Sequence, residues 1–120
     1  MALRARKQAY AAAVHRWFDD WNLLLTPSAS VAAFPAEGLM PPDWPQHDWN
    51  WMTSWAPFSY PFNIAQNPAV SVPCGFTADG LPVGLQIVGR RLDDAGVLRA
   101  ASAFEAAQPW AHRWPPTALA

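Results

Sequence analysis

Cysteine occurs once in this 120-residue chain, at Cys74. One thiol cannot close an internal disulfide, so a small stapled secreted scaffold is excluded and a reducing, cytoplasmic setting is expected. Charge is also scarce: 14% of residues are charged, the formal net charge is −1, and Lys7 is the only lysine. Affinity for polyphosphate or an anionic membrane surface needs several converging cations, so neither nucleic acid nor a membrane is expected as a partner. No run of 18 apolar residues occurs, which excludes a helical bilayer span. The basic start Met1-Ala-Leu-Arg-Ala-Arg-Lys imitates a targeting segment. His15, Arg16, Asp19 and Asp20 interrupt what would be its apolar region, so none is expected. His15, His47 and His112 are widely spaced and form no His-x-x-x-His pair, so no metal site and no cofactor are expected.

What the chain has in excess is proline, with 13, and tryptophan, with 8. Trp17, Trp21, Trp44, Trp49, Trp51 and Trp55 fall in its first half. Each such ring buries on the order of 150–250 Å² when packed, so the chain must fold tightly around them or offer them to a partner. Length fits one domain, able to bury about two-thirds of its unfolded surface.

Periodicity divides the chain into five parts. Over residues 3–21, Tyr10, Val14, Trp17, Phe18 and Trp21 form one helical stripe, and the alanine run 11–13 favours helix. Leu23-Leu24-Leu25-Thr26 then reads as a short strand buried on both faces and closed by Pro27. Residues 27–57 form a Pro/Trp-rich loop in which Pro27, Pro35, Pro41, Pro42, Pro45 and Pro57 leave no regular period. A short helix falls within 57–66. Residues 69–76 and 82–89 read as a hairpin around the turn signal Asp79-Gly80. Asp93 and Asp94 cap a helix running to about Gln108, with Val97, Leu98, Ala101 and Phe104 on one face. Both hairpin strands are too apolar for a solvated edge, and three strands make a small sheet. A sheet that wants neighbours the chain does not supply reads as part of something larger.

Three stretches carry a resemblance to a known family. They are Pro61-Phe62-Asn63-Ile64-Ala65-Gln66-Asn67-Pro68-Ala69, Val72-Pro73-Cys74-Gly75-Phe76, and Asp79-Gly80-Leu81-Pro82-Val83-Gly84-Leu85-Gln86-Ile87-Val88-Gly89. Together with Leu23-Leu24-Leu25-Thr26-Pro27 upstream, and Asp94, Leu98, Ala101, Phe104 and Glu105 downstream, they resemble the C-terminal region of the amidase signature family. The resemblance covers nearly the whole chain apart from residues 39–55. It implies an α/β fold, with residues 1–120 as an incomplete part of an α/β/α sandwich. It also implies a parent activity of hydrolysis at a carboxamide carbonyl by serine acyl transfer.

That chemistry in the family uses a nucleophilic serine, a second serine held by a cis peptide bond, a lysine base, and backbone N–H donors in a glycine-rich loop. Here Ser28, Ser30, Ser54, Ser59, Ser71 and Ser102 are the serines, and none is embedded in glycines. Lys7 lies on the polar side of the first helix, where water hydrates its ammonium. No catalytic residue is therefore assigned, and the chain is expected to be a fragment inactive alone, with a complementing N-terminal chain as a candidate partner. Cys74, between Pro73 and Gly75, reads as a packed thiol and not a nucleophile. Asp19-Asp20 reads as a solvated face and Asp93-Asp94 as a helix cap.

The resemblance further implies that Phe58, Ser59 and Phe62 line the approach to the acyl pocket and bind a small-molecule amide. In the tRNA-dependent amidotransferases, the matching Phe-Ser/Thr pair is preceded by an acidic residue that grips the substrate amine. Ala56 takes that place here, which points toward a hydrophobic or aryl amide. The alternative reading is a non-catalytic binding module built on the Trp-rich loop.

Overall fold

Rich in alanine and free of proline, residues Ala2–Asp20 form a single helix, α1. The computed structural model describes residues 2–38, 40–42 and 55–113; the tryptophan cluster at 44–51 and the tail from 114 lie outside the described residues. After α1 come strand β1 (Leu23–Pro27), a long loop, the short helix α2 (Tyr60–Ala65), strands β2 (Ala69–Phe76) and β3 (Pro82–Gly89), and helix α3 (Asp94–Ala107). The order expected from periodicity holds, and the hairpin strands begin and end where expected.

The three strands form one antiparallel sheet in the order β1-β3-β2. Residues 77–81 close the hairpin. The Thr77 N–H donates to the Leu81 carbonyl at 2.8 Å, and Thr77 Oγ1 accepts from the Leu81 N–H at 3.0 Å. Between them Gly80 takes the positive φ of 82° that a side chain would resist. β2 carries a bulge between Pro73 and Gly75, so Cys74 has no partner across the ladder. A proline is tolerated in this strand because it sits at the bulge, and among the described residues β2 has no neighbour on its outer side.

The core lies where α1 and α2 cover one face of the sheet. Phe18, Phe62 and Val88 meet there, with Val14 and Leu24 packed against them. Val88 is fully buried and Phe18 is 2% exposed. His15 ties the two helices together through its Nε2, 2.7 Å from the Ala65 carbonyl; a carbonyl can only accept, so Nε2 carries the proton. On the opposite face α3 packs against β2 and β3 through Val97. Its N-terminus is capped as expected, by Asp93 Oδ1 accepting from the Gly96 N–H at 3.0 Å.

Three expectations about burial are corrected. β1 is not covered on both faces: it is an outer strand, and Leu25 is 57% exposed. β2 is likewise an outer strand, and its apolar edge has no neighbour among the described residues, in line with a sheet that wants more strands. In α1 only Phe18 of the aromatic stripe is buried, because the sheet is narrower than the helix is long. Tyr10, Trp17 and Trp21 remain exposed, with Trp17 and Trp21 stacked on each other at 5.8 Å. In α3 Leu98 also faces away from the sheet, since Val97 is the residue that makes the contact.

Candidate functional site

The residues read as a substrate wall sit at the end of the long loop, where the chain enters α2. Pro61 in the first turn of α2 presets a helical φ, and the helix stops at Gln66, which adopts a left-handed φ of 59°. Phe58 and Ser59 are half-buried in the turn just ahead. The Ser59 N–H donates to the Ala56 carbonyl at 3.3 Å, and its own carbonyl accepts from Asn63 at 3.2 Å; its hydroxyl makes no capping bond. Phe62 stands apart from this pair, because its ring belongs to the core with Phe18 and Val88. The segment thus offers two residues at a surface turn and a third that anchors the turn from below.

Two polar groupings lie beside that turn on the same face of the sheet. Ser28 Oγ and Ser71 Oγ, 43 residues apart in sequence, are 2.6 Å apart in space. They meet over Gly84: a Cβ there would stand 2.7 Å from the Ser28 oxygen and 2.9 Å from the Ser71 oxygen, so only glycine leaves room. Further along β3, Gln86 Nε2 donates to Thr26 Oγ1 at 2.9 Å and to the Phe58 carbonyl at 3.0 Å. Neither grouping is anticipated by the sequence. Gln86 does leave a signal, as the lone polar side chain in the apolar run 83–88. The serine pair leaves none, because nothing local links positions 28 and 71.

An open groove of about 280 Å³ runs along the seam between β1 and β3, lined mainly by Leu25, Pro27, Cys74, Val83 and Leu85. Its described lining is mainly apolar and includes no charged side chain. Cys74 is half-buried and its Sγ lies 3.5 Å from the Val83 carbonyl, which closes the bulge. Lys7 is exposed on α1. Among the described residues no three His, Cys, Asp or Glu side chains group as metal ligands, and no helix is long and apolar enough to cross a membrane.

The described residues thus form a three-stranded antiparallel sheet with helices on both faces and a seam of hydroxyl and amide groups along one of them. Comparison with known proteins bears on this directly: the amidase family model matches residues 1–98, and the chain belongs to the amidase signature family. It is 43% identical over 112 residues to an acylamidase of Rhodococcus erythropolis, covering 86% of this chain and 22% of that protein. Over 59 residues it is 51% identical to one of the subunits of the glutamyl-tRNA(Gln) amidotransferase of Thermodesulfovibrio yellowstonii, covering 49% of this chain and 12% of that protein. The solved structure of 6-aminohexanoate cyclic dimer hydrolase superposes with a TM-score of 0.77 at 30% identity, covering 93% of this chain and 25% of that one. The chain therefore spans about a quarter or less of the length of these relatives.

Proposed function

We propose that this chain is the C-terminal part of an amidase that hydrolyses carboxylic acid amides by serine acyl transfer, and that it has no turnover by itself. The carrying observation is the pairing of family membership with content: an amidase-family match over residues 1–98 accompanies serines that all lie outside any glycine-rich loop and a single, exposed lysine. The base and oxyanion donors would come from the part of the enzyme that bears the Ser-cisSer-Lys region, with a separate complementing chain as one source of it. Among the described residues the outer sides of β1 and β2 are unpaired. Together with the apolar groove along the β1–β3 seam they support such a partner, since apolar strands left at an edge invite pairing. A cytoplasmic location accompanies this reading, supported by the single free thiol.

Within the completed enzyme, Phe58 and Ser59 would line the amide's path, with Phe62 holding them from the core. Ala56, where the amidotransferases carry an acid, and the name of the acylamidase relative both support an uncharged, hydrophobic or aryl amide.

The test is an assay of the purified chain against anilides and short aliphatic amides, alone and co-expressed with a chain carrying the N-terminal three-quarters of an amidase. No turnover alone, and turnover on co-expression, is the expected pair of results. Turnover by the chain alone that disappears in Ser28→Ala or Ser71→Ala would overturn the proposal.

A further inference from the structure

We propose that Gln86 is a positioning residue: it ties the turn that carries Phe58 and Ser59 to strands β1 and β3 and so fixes where those two residues stand. That the pinned turn faces substrate rests on the amidase reading above; the pin itself does not.

Gln86 is 9% exposed, and it is the one polar side chain among the buried residues described. Burying an amide in a strand otherwise made of Val83, Leu85, Ile87 and Val88 is costly unless its hydrogens find acceptors. Here both do, and the two acceptors belong to different parts of the chain. Thr26 Oγ1 lies on β1, just before the loop departs; the Phe58 carbonyl lies at the loop's return. A backbone carbonyl only accepts, so the amide nitrogen, not its oxygen, must face Phe58, and its second hydrogen is then the one aimed at Thr26. One NH₂ group thus bridges three segments distant in sequence.

The rest of the loop's neck agrees with this geometry. The Ser28 N–H donates to the Gly84 carbonyl at 2.9 Å and the Ser30 N–H to the Trp55 carbonyl at 3.1 Å. Phe34 sets its ring edge-on to Trp55 at 5.5 Å. The described outgoing and returning arms of the loop are therefore stitched to each other and to β3 at its base. Closing such a loop carries an entropic cost that grows only slowly with its length, so a few bonds at its base suffice to hold it. Of these, the Gln86 pair alone reaches the turn that carries Phe58. Methionine at this position would fill the same space and donate nothing; glutamate would fill it but set a carboxylate oxygen against the Phe58 carbonyl, which can only accept.

Hydrogen exchange on the folded full-length chain tests the pin without any substrate. Gln86→Met and Gln86→Glu are expected to speed exchange of the Ser30, Ser59 and Asn63 amides about tenfold while the β2–β3 ladder amides stay within about twofold, the size of effect that losing one or two net hydrogen bonds produces in a local opening. Thr26→Val, at a half-buried position that leaves the Phe58 bond intact, should speed only the Ser30 side, and it serves as the readout if neither Gln86 variant folds. Equal acceleration of strand and loop amides in the Gln86 variants, or in Thr26→Val alone, would mean a general packing role and overturn the proposal. No acceleration in the loop would overturn it equally. A failed complementation assay beside a clear local exchange difference counts against the amidase reading and leaves the pin standing.

Discussion

The two halves of strand β3 differ more than their sequences do. Its C-terminal half, Gln86 to Gly89, is buried throughout: Val88 lies under Phe18 and Phe62, Ile87 is shielded on the other face, and Val97 of α3 closes over Gly89. Its N-terminal half, Pro82 to Leu85, is equally apolar yet stands exposed or half-exposed along the groove it shares with Leu25, Pro27 and Cys74. Hydrophobic composition is the same; what differs is whether this chain supplies a cover. At one end α1, α2 and α3 converge, and at the other no described element does. Apolar surface left in water costs about 25 cal/mol per Å² relative to burial.

The comparison breaks first at the closed end if the core is less cooperative than it looks. Phe18→Ala removes the ring that joins α1 to both Phe62 and Val88. Emptying such a site costs about 3–5 kcal/mol, a large share of the stability a small domain has to spare. The expected outcome is loss of a cooperative urea transition followed by far-ultraviolet circular dichroism, with α1 and the sheet melting separately. A shift of the midpoint with the transition still sharp would mean that α1 contributes less than its contacts imply.

A second, smaller effect is expected on the other face of the same half-strand. A Cβ added at Gly89 would stand 2.5 Å from Val97 Cγ2, closer than packed carbons allow, while the Asp93 carbonyl oxygen and Pro68 Cγ also lie within 4 Å. Gly89→Ala must push α3 outward, and overpacking of this kind costs about 1–3 kcal/mol. Pairing it with Val97→Ala, which vacates the space, should recover part of that loss; a double mutant no better than Gly89→Ala would show that the strain lies in the backbone and not against Val97.

How much of this is legible in the sequence follows from range. The hairpin is readable because its signals are local: two apolar runs and Asp79-Gly80 between them. The Asp93 cap is readable for the same reason, three residues separating donor and acceptor. Burial of Leu25, Trp21 and Leu98 is misjudged from sequence, since a stripe reports which face is apolar and says nothing of how far the covering sheet extends. The Ser28–Ser71 contact and the double bond from Gln86 join residues 28 to 60 positions apart. No periodicity encodes such pairs, and only the fold brings them together. The segment proposed to line the substrate path shows both cases at once: family resemblance points to Phe58, Ser59 and Phe62 as a group, and packing then draws Phe62 inward, away from the other two.

The smallest effect is expected at the open end, and there the two halves can be set against each other most sharply. Leu25 is 57% exposed and borders the groove on β1. Replacing it by serine removes apolar surface that is mostly in water already, so Leu25→Ser should change the stability of the isolated chain by no more than about 0.5 kcal/mol, the usual range for surface positions. If a second chain covers this end in the assembled amidase, the same substitution should weaken co-purification with that chain or lower the yield of active complex, although the fold is intact. The asymmetry is the informative part, because a residue that matters only to a partner is silent until the partner arrives. A stability loss in the isolated chain comparable to that of Gly89→Ala would show that the groove is already part of this chain's own core. The contrast between the halves of β3 would then be one of shape and not of completeness.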